Sequence, residues 1–309
     1  MKDKQKEEGF KSGFVAILGR PNVGKSTLLN AFLGDKVSII SNIPQTTRHQ
    51  IRGILHLDKA QVIFVDTPGI HSFKEDLAAH LNIIAKKSTQ DVELILYVVD
   101  TSRCVGEEEK KIMQFVLASR NKVVMALNKI DLGGEFLNQY MDTWRMLLKE
   151  ENVKKDPVEY YIPISAVQGT KLEELIEVIK EFLSCDVPFY EKDSLTDFPL
   201  KFRIADIIRE KLFWNLKKEL PHSLAVEVQE IEDKEKIYYI RADIYVNRDS
   251  QKKIVIGRGG SLIKQVGILC REDLEILLKK KVYLELRVKV IKDWQSKIRI
   301  LKELGYWWA

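Results

Sequence analysis

Residues 19–27 (GRPNVGKST) constrain the fold of this chain more than any other segment. They follow the apolar run 14–18 and precede the amphipathic run 28–33, an order that predicts a strand, a glycine-rich loop and a helix. The pattern G-x-x-x-x-G-K-S is complete, and such a loop surrounds phosphate groups with backbone N–H groups at a helix N-terminus. The sequence therefore predicts a phosphate-binding loop made of Gly19, Arg20, Pro21, Asn22, Val23, Gly24, Lys25, Ser26 and Thr27, in which Lys25 reaches the β- and γ-phosphates and Ser26 binds Mg²⁺.

Short apolar runs alternate with helical patterns through the first part of the chain. This alternation is typical of a mostly parallel sheet with helices on both faces, and ligands bind such sheets at the carboxyl ends of the strands. We therefore predict a six-stranded α/β domain with strands at 14–18, 51–57, 61–65, 92–99, 122–127 and 159–164 and helices near 26–33, 75–88, 107–119, 135–150 and 171–183.

The loop after the first helix carries a candidate magnesium ligand. It contains the segment PQTTRH and has no clear hydrophobic period. A threonine there can place its hydroxyl on Mg²⁺ and its backbone N–H on the γ-phosphate, ordering when that phosphate is present. We expect Thr47 to do this, with Thr46 as the alternative.

The third predicted strand leads into Asp66, Thr67, Pro68 and Gly69. Asp66 is expected to hold Mg²⁺ through a water molecule, and Gly69 is expected to donate its N–H to the γ-phosphate because a glycine permits close backbone approach. A Pro-Gly turn after a strand is common by itself, but it does not account for the acid at the strand end.

The fifth predicted strand leads into Asn128, Lys129 and Asp131 of the sequence NKID. A carboxylate can accept hydrogen bonds from guanine N1–H and N2–H₂, a donor pair that adenine lacks. We expect Asp131 to do so, Asn128 to hold the loop and meet N7 and O6, and the Lys129 stem to cover the purine face. Ser165 and Ala166 end the next strand, with the Ala166 N–H facing guanine O6. An isolated N-K-x-D occurs by chance, but here it follows two other nucleotide motifs in order, so guanine specificity is predicted.

The segments GRPNVGKST, PQTTRH, DTPG, NKID and ISA together resemble the motifs of the Era family of bacterial GTPases, and the resemblance extends over the whole chain. It implies an enzyme that converts GTP and water to GDP and phosphate. It also implies a C-terminal KH domain that binds single-stranded ribosomal RNA near the 3′ end of the small-subunit RNA and assists assembly of that subunit and maturation of its RNA.

One position departs from Ras-like GTPases, in which a glutamine that orients water follows the D-x-x-G glycine. Ile70 stands there in this chain, so slow intrinsic turnover is expected. In related GTPases an asparagine of the phosphate-binding loop helps to hold K⁺ near the phosphates, and Asn22 is the candidate here. A simple turn residue is the alternative interpretation of Asn22. The predicted catalytic set is therefore Lys25, Thr47, Gly69 and Asn22.

The second part of the chain has a different pattern. We predict a flexible tail at 1–12, a GTPase domain at 13–185, a linker at 186–199 and a KH domain at 200–309. The last range predicts a helix at 200–220, strands at 224–231 and 237–246, two helical stretches within 261–280 and a strand at 282–290, which is the α-β-β-α-α-β order of a type II KH domain.

The G-x-x-G step of this second part is expected to join a short strand, 254–256, to a helix. A glycine-bounded turn with basic neighbours lets a sugar–phosphate backbone approach closely while unpaired bases lie along an apolar groove. Tight turns use the same glycines, so the step by itself is weak evidence. The predicted RNA contacts are Lys252, Lys253, Ile256, Gly257, Arg258, Gly259, Gly260 and Lys264.

Charge and cysteine content bear on partners and compartment. Residues 200–309 hold 24 Lys and Arg against 16 Asp and Glu, which favours a polyanionic partner for this part. Three widely spaced cysteines indicate a reducing compartment rather than a disulfide framework. We expect a cytoplasmic monomer without a DNA partner, and the family suggests peripheral membrane contact. Two alternatives remain: a GTPase whose second domain binds proteins, and an RNA-binding protein with a vestigial nucleotide site.

Overall fold

The computed structural model describes residues 9–40, 49, 51–66, 89, 92–119, 121–216 and 220–306. They form two compact units, one built mainly from the chain up to Asp197 and the other mainly from Phe198 onward. The predicted helix at 75–88 and most of the predicted tail at 1–12 lie outside the described residues. Within the described part, no helix is both long enough and apolar enough to cross a bilayer.

The first unit is an α/β domain. Its strands are β1 (Lys11–Leu18), β2 (Ile51–Leu57), β3 (Ala60–Asp66), β4 (Leu94–Asp100), β5 (Lys122–Asn128) and β6 (Val158–Pro163), and its described helices are α1 (Lys25–Leu33), α2 (Glu107–Ala118), α3 (Leu137–Glu150) and α4 (Leu172–Glu181). The strand order is β2-β3-β1-β4-β5-β6. Every neighbouring pair is parallel except β2 and β3, so the predicted mostly parallel six-stranded sheet is confirmed.

The centre of this sheet is buried on both faces. Every residue of β3 and β4 is buried, which explains why these segments read as continuous apolar runs rather than alternating ones. Helices α2 and α3 pack on β4 and β5 through a cluster that includes Met113 and Trp144. Because β1, β3, β4 and β5 run in the same direction, their carboxyl ends meet at one edge of the sheet, where the predicted nucleotide motifs follow.

The segment after α4 stays bound to the first unit as far as residue 197. Cys185 exchanges backbone hydrogen bonds with Ser12 at the start of β1. The Gln61 side chain accepts from the N–H groups of Phe189 and Tyr190 and donates to the Tyr190 carbonyl at 2.8 Å. Buried amide and backbone groups paired in this way hold a proline-containing segment against the sheet without a strand of its own.

The second unit is an α+β domain. Its helices are α5 (Leu200–Asn215), α6 (Asp249–Ile256), α7 (Ser261–Leu278) and α8 (Ile298–Glu303), and its strands are β7 (Ala225–Asp233), β8 (Ile237–Val246) and β9 (Lys281–Val290). The sheet order is β7-β8-β9, with β7 antiparallel and β9 parallel to β8. Helices α5 to α7 bury one face of this sheet, and the α-β-β-α-α-β order is as predicted.

Two details of this unit were predicted wrongly. Residues 249–256 form helix α6, so no strand ends at Ile256 and the G-x-x-G step joins two helices. Gln251 explains the helix start, because its side chain accepts from the Asn247 and Arg248 N–H groups and thereby closes a capping box. The β-branched residues 254–256 are too few to outweigh that signal. Residues 261–278 form one helix rather than two stretches, since Gly267 does not interrupt it.

Candidate functional site

The phosphate-binding loop joins β1 to α1 at the carboxyl edge of the sheet. Gly19 has φ 155° and Gly24 has φ 105°. A Cβ atom on Gly19 would lie 2.3 Å from the Val98 carbonyl oxygen, and one on Gly24 would lie 2.4 Å from Asn128 Nδ2. The two glycines of the motif are therefore required by close approach of β4 and of the NKID segment, in addition to their backbone angles.

Lys25 lies inside this loop. Its Nζ donates to the carbonyl oxygens of Gly19 at 3.0 Å and Arg20 at 2.8 Å, and only 7% of the residue is exposed. Burial lowers the pKa of Lys25 to about 8, against the opposing effect of the Asp66 and Glu109 charges. A phosphate group favours the protonated amine. The predicted contact between Lys25 and a nucleotide phosphate would therefore favour proton uptake at Lys25 above that pH.

The predicted magnesium ligands that the structure describes lie together. Ser26 Oγ donates to Asp66 Oδ2 at 2.9 Å, and Ser38 Oγ donates to the same oxygen at 2.9 Å. The Ser26 hydroxyl in the first turn of α1 and the buried Asp66 carboxylate at the end of β3 are the kind of hard oxygen ligands that Mg²⁺ uses beside phosphates. Mg²⁺ therefore fits these two side chains, and the roles of Ser26 as its direct ligand and of Asp66 as a ligand through water stay predictions. Ser38 is a residue that the sequence did not single out.

Asn128 joins three of the predicted motifs. Its Nδ2 donates to the Val23 carbonyl in the phosphate-binding loop at 2.8 Å, and its Oδ1 accepts the Ala166 N–H at 2.9 Å. The Thr101 hydroxyl supports it by donating to the Asn128 carbonyl at 2.8 Å. Asn128 thus bonds to the loop, and its predicted contact with guanine N7 and O6 stays a prediction. The Ala166 N–H, expected to face guanine O6, is donated to Asn128 in this structure, and Ser165 Oγ accepts the Gln168 N–H.

Lys129 and Asp131 are the other two residues of the NKID segment with predicted roles. Lys129 adopts a left-handed conformation, and its Nζ donates to the Asn22 carbonyl at 2.9 Å and pairs with Asp100 Oδ2 at 2.6 Å. Among the described residues, Asp131 Oδ1 is buried without a hydrogen-bond partner. A buried acceptor of this kind carries a desolvation cost until a donor reaches it, which suits the donor pair of guanine.

The remaining predicted residues fall into two groups: those that the structure describes and those that lie outside the described residues. Asn22 has φ 64°, consistent with a turn residue, and Val23 is buried. The Arg20 side chain turns to Glu109 of α2, at 2.5 Å from Nε to Oε2. Pro21 and Thr27 lie within the loop and the first turn of α1. Thr46, Thr47, Thr67, Pro68, Gly69 and Ile70 lie outside the described residues, so their roles stay predictions.

The G-x-x-G step of the second unit lies between α6 and α7. Gly257, Gly259 and Gly260 have positive φ values of 77°, 58° and 79°, which favour glycine at all three positions. A Cβ atom on Gly257 would lie 2.8 Å from Leu262, whereas Gly259 and Gly260 face open space. Of the predicted contacts, Lys253, Arg258 and Lys264 are exposed, and Lys252 and Ile256 are half-buried. The turn is therefore open to a ligand and flanked by positive charge.

Comparison with known proteins agrees with both units. Residues 14–129 match the family described as 50S ribosome-binding GTPase, and residues 219–295 match the KH domain family. The chain is 36% identical to Era in complex with MgGDPNP and nucleotides 1506–1542 of 16S ribosomal RNA, over 96% of this chain and 99% of that chain, with a TM-score of 0.88. It is 37% identical to an Era variant from Aquifex aeolicus bound to GDP·AlF4⁻, over 96% and 99% of the two chains, with a TM-score of 0.87.

Both structural relatives match over nearly their full length, so the likeness covers the nucleotide-binding unit and the KH unit together. The motifs that carry it are those brought to one edge of the sheet by β1, β3, β5 and β6, and the glycine turn between α6 and α7. This chain therefore belongs to the Era family of GTPases.

Proposed function

We propose that this chain is a GTP-hydrolysing switch that binds the 3′ region of small-subunit ribosomal RNA through its KH unit and assists assembly of the small ribosomal subunit and maturation of its RNA. The nucleotide-binding part of this proposal is supported best by Asn128, whose side chain bonds to Val23 and Ala166 at once. In the same NKID segment, Asp131 Oδ1 is a buried acceptor without a partner among the described residues. A vestigial nucleotide site would not retain this complete set.

The reaction is GTP + water → GDP + phosphate. Lys25 places a positive charge within the loop that surrounds the β- and γ-phosphates, where negative charge develops in the transition state. Mg²⁺, when bound by Ser26 and through water by Asp66, adds positive charge to the same oxygens. Thr47 and Gly69 are proposed to complete the γ-phosphate contacts. Because Ile70 cannot orient water, intrinsic turnover is proposed to be slow.

A bound K⁺ is the proposed compensation for the missing water-orienting glutamine. Asn22 lies in the phosphate-binding loop, and an amide oxygen is a suitable K⁺ ligand. We expect K⁺ to raise the hydrolysis rate of the native protein relative to Na⁺ and to have no such effect on Asn22→Gly. Glycine is the sharper substitution here, because it tolerates the left-handed φ of 64° that alanine would strain. Equal rates of the native protein in both salts would reduce Asn22 to a turn residue.

Two observations support the proposed RNA binding. The glycine turn between α6 and α7 is open, and the chain is similar over nearly its whole length to Era in complex with a 16S RNA fragment. Unpaired RNA is held by such a turn through its backbone while the bases lie in an adjoining groove. The exposed side chains of Lys253, Arg258 and Lys264 supply the positive charge that the phosphates need.

Gly259→Asp is expected to weaken binding of a single-stranded RNA corresponding to the small-subunit 3′ end by about tenfold or more, because it sets a negative charge against a phosphate. Gly259 has open space around its Cβ position, and Asp tolerates a left-handed φ, so the unit should remain folded. Binding is measured by fluorescence anisotropy of labelled RNA at a stated salt concentration.

Gly259→Asn is the matched control, since it has the same shape and no charge. A much smaller loss than that of Gly259→Asp is expected. Equal RNA affinity of the native protein and both variants would place the RNA site elsewhere, and a KH unit that captures ribosomal proteins instead of RNA would favour the alternative of a protein-binding second domain.

The proposed compartment and further partners of the chain are based on its cysteines and its charge. None of Cys104, Cys185 and Cys270 forms a disulfide in the described part of the chain, and the excess of basic residues after position 200 suits an RNA or an anionic membrane surface. We propose a monomer without a DNA partner, whose membrane contact, where it occurs, is peripheral.

A further inference from the structure

A buried polar cluster lies behind the phosphate-binding loop. Its centre is the Glu109 carboxylate of α2, which pairs with Arg20 Nε at 2.5 Å. The Tyr97 hydroxyl of β4 donates to Glu109 Oε1, and the Tyr140 hydroxyl of α3 donates to Glu109 Oε2 at 3.2 Å. Tyr140 also accepts from Arg20 Nη2 at 3.0 Å, which closes the cluster. Three elements of the core thus converge on one residue of the loop.

Burying the charged groups of this cluster costs free energy, because they lose their hydration. Glu109, Tyr97 and Tyr140 have no exposed surface, and the Arg20 side chain is 16% exposed. A buried ion pair often contributes little to stability compared with apolar residues of the same volume, because both charges lose hydration. Nothing in the packing of α2 against α3 requires charges, since Met113, Val116 and Trp144 fill that interface with apolar groups.

The cluster reaches the nucleotide site through the backbone of Arg20. The Gly19 and Arg20 carbonyl oxygens are the two that Lys25 Nζ contacts, at 3.0 and 2.8 Å. Holding the Arg20 side chain therefore restrains the backbone on which Lys25 is placed.

We propose that Glu109 is a positioning residue for nucleotide binding: through Arg20 it holds the start of the phosphate-binding loop in the shape that receives the phosphates. This inference rests on the proposed GTPase site and adds a residue outside its sequence motifs. A loop held in its bound shape before the ligand arrives increases affinity, because less ordering remains to be done on binding. The effect concerns the phosphates that GDP and GTP share, so it should alter affinity for both.

The test compares Glu109→Gln with the native protein. Glutamine keeps the shape of the side chain but leaves the Arg20 charge buried without a counter-charge. We expect the Kd for GDP and for a non-hydrolysable GTP analogue to rise by a similar factor of about ten or more. At saturating GTP we expect kcat to stay within about threefold, because the side chains that face the γ-phosphate keep their identity and bound GTP itself orders the loop around them.

A double variant separates positioning from general damage. In Arg20→Gln/Glu109→Gln the two buried charges are removed together, so thermal stability should return relative to Glu109→Gln alone. Both Kd values should stay raised, because the ion pair that holds the loop is absent. Tyr140→Phe, which removes only the bridging hydroxyl, should raise both Kd values by a smaller common factor. It also serves as the variant to measure if Glu109→Gln does not fold.

Asp156 offers a matched control in the same domain. It accepts hydrogen bonds from Trp144 Nε1 of α3 and from the Tyr161 hydroxyl, and neither partner belongs to the phosphate-binding loop. Asp156→Asn should lower thermal stability while leaving both Kd values within about twofold of native.

Native nucleotide affinity in folded Glu109→Gln and Tyr140→Phe would overturn the inference, as would an equal loss in Asp156→Asn or a double variant whose nucleotide affinity returns to the native value. These outcomes differ from failure of the proposed function, in which the native protein itself would not bind guanine nucleotides.

Discussion

Asp131→Asn changes the base preference of the nucleotide site from guanine to xanthine. In the native protein the buried Oδ1 of Asp131 lacks a partner among the described residues and is available to the N1–H and N2–H₂ donors of guanine. Asparagine presents an N–H₂ group to those donors. Xanthine carries an oxygen in place of the guanine amino group, so the amide can donate to it.

The expected size of this change follows from the cost of unpaired buried groups. A site built to hydrogen-bond one ligand rejects an analogue with mismatched groups by factors of about 10⁴. We expect GTP affinity to fall by roughly that factor and XTP affinity to rise by at least about 10², as measured by competition against a fluorescent nucleotide. ATP should bind neither form.

Asp142→Asn controls for loss of a negative charge in the same domain, because Asp142 is an exposed residue of α3 that pairs only with Arg145 in the described part of the chain. It should leave the preference for GTP unchanged. If Asp131→Asn kept native GTP affinity, Asp131 would not contact the base.

Asn128→Ala is expected to cause the second large loss. It removes the donor to the Val23 carbonyl and the acceptor of the Ala166 N–H, both of which are buried bonds. Each group left unpaired costs about 1–3 kcal/mol. The affinity for GTP and GDP should fall by a factor on the order of 10² or more, because both groups are left unpaired in the conformation that binds nucleotide. Calorimetric titration with GDP measures this loss directly.

Thr101→Val is the comparison for this variant. It removes one hydrogen bond to the Asn128 carbonyl, which the Thr101 backbone N–H also contacts, and it keeps the shape of the side chain. Its loss of GDP affinity should be tenfold or less. Comparable losses in the two variants would mean that the NKID segment acts through its general stability rather than through Asn128. Affinity within threefold of native in Asn128→Ala would contradict the role assigned to that side chain.

The strands and helices of the first unit were predicted correctly where a short run of neighbouring residues carries the whole pattern. The segment at β4 is continuous and apolar because it is buried on both faces, and the segment at 19–27 combines glycines with an adjoining strand and helix. The prediction failed at 249–256, where three β-branched residues suggested a strand. There the capping box with Gln251 favours a helix, and packing of Val255 into the core stabilises it.

The motif residues of the nucleotide site were determined by sequence alone, because each motif is short and its backbone and charge requirements are met within a few positions. Gly19, Lys25 and Asp131 belong to this class. Only the tertiary structure decided which distant side chains contact the residues of these motifs. Ser38, Asp100 and Glu109 lie 28, 29 and 89 positions from the Asp66, Lys129 and Arg20 side chains that they contact, and no spacing rule links positions so far apart. Their pairing arises because parallel strands and the helices that cover them bring distant parts of the chain to one edge of the sheet.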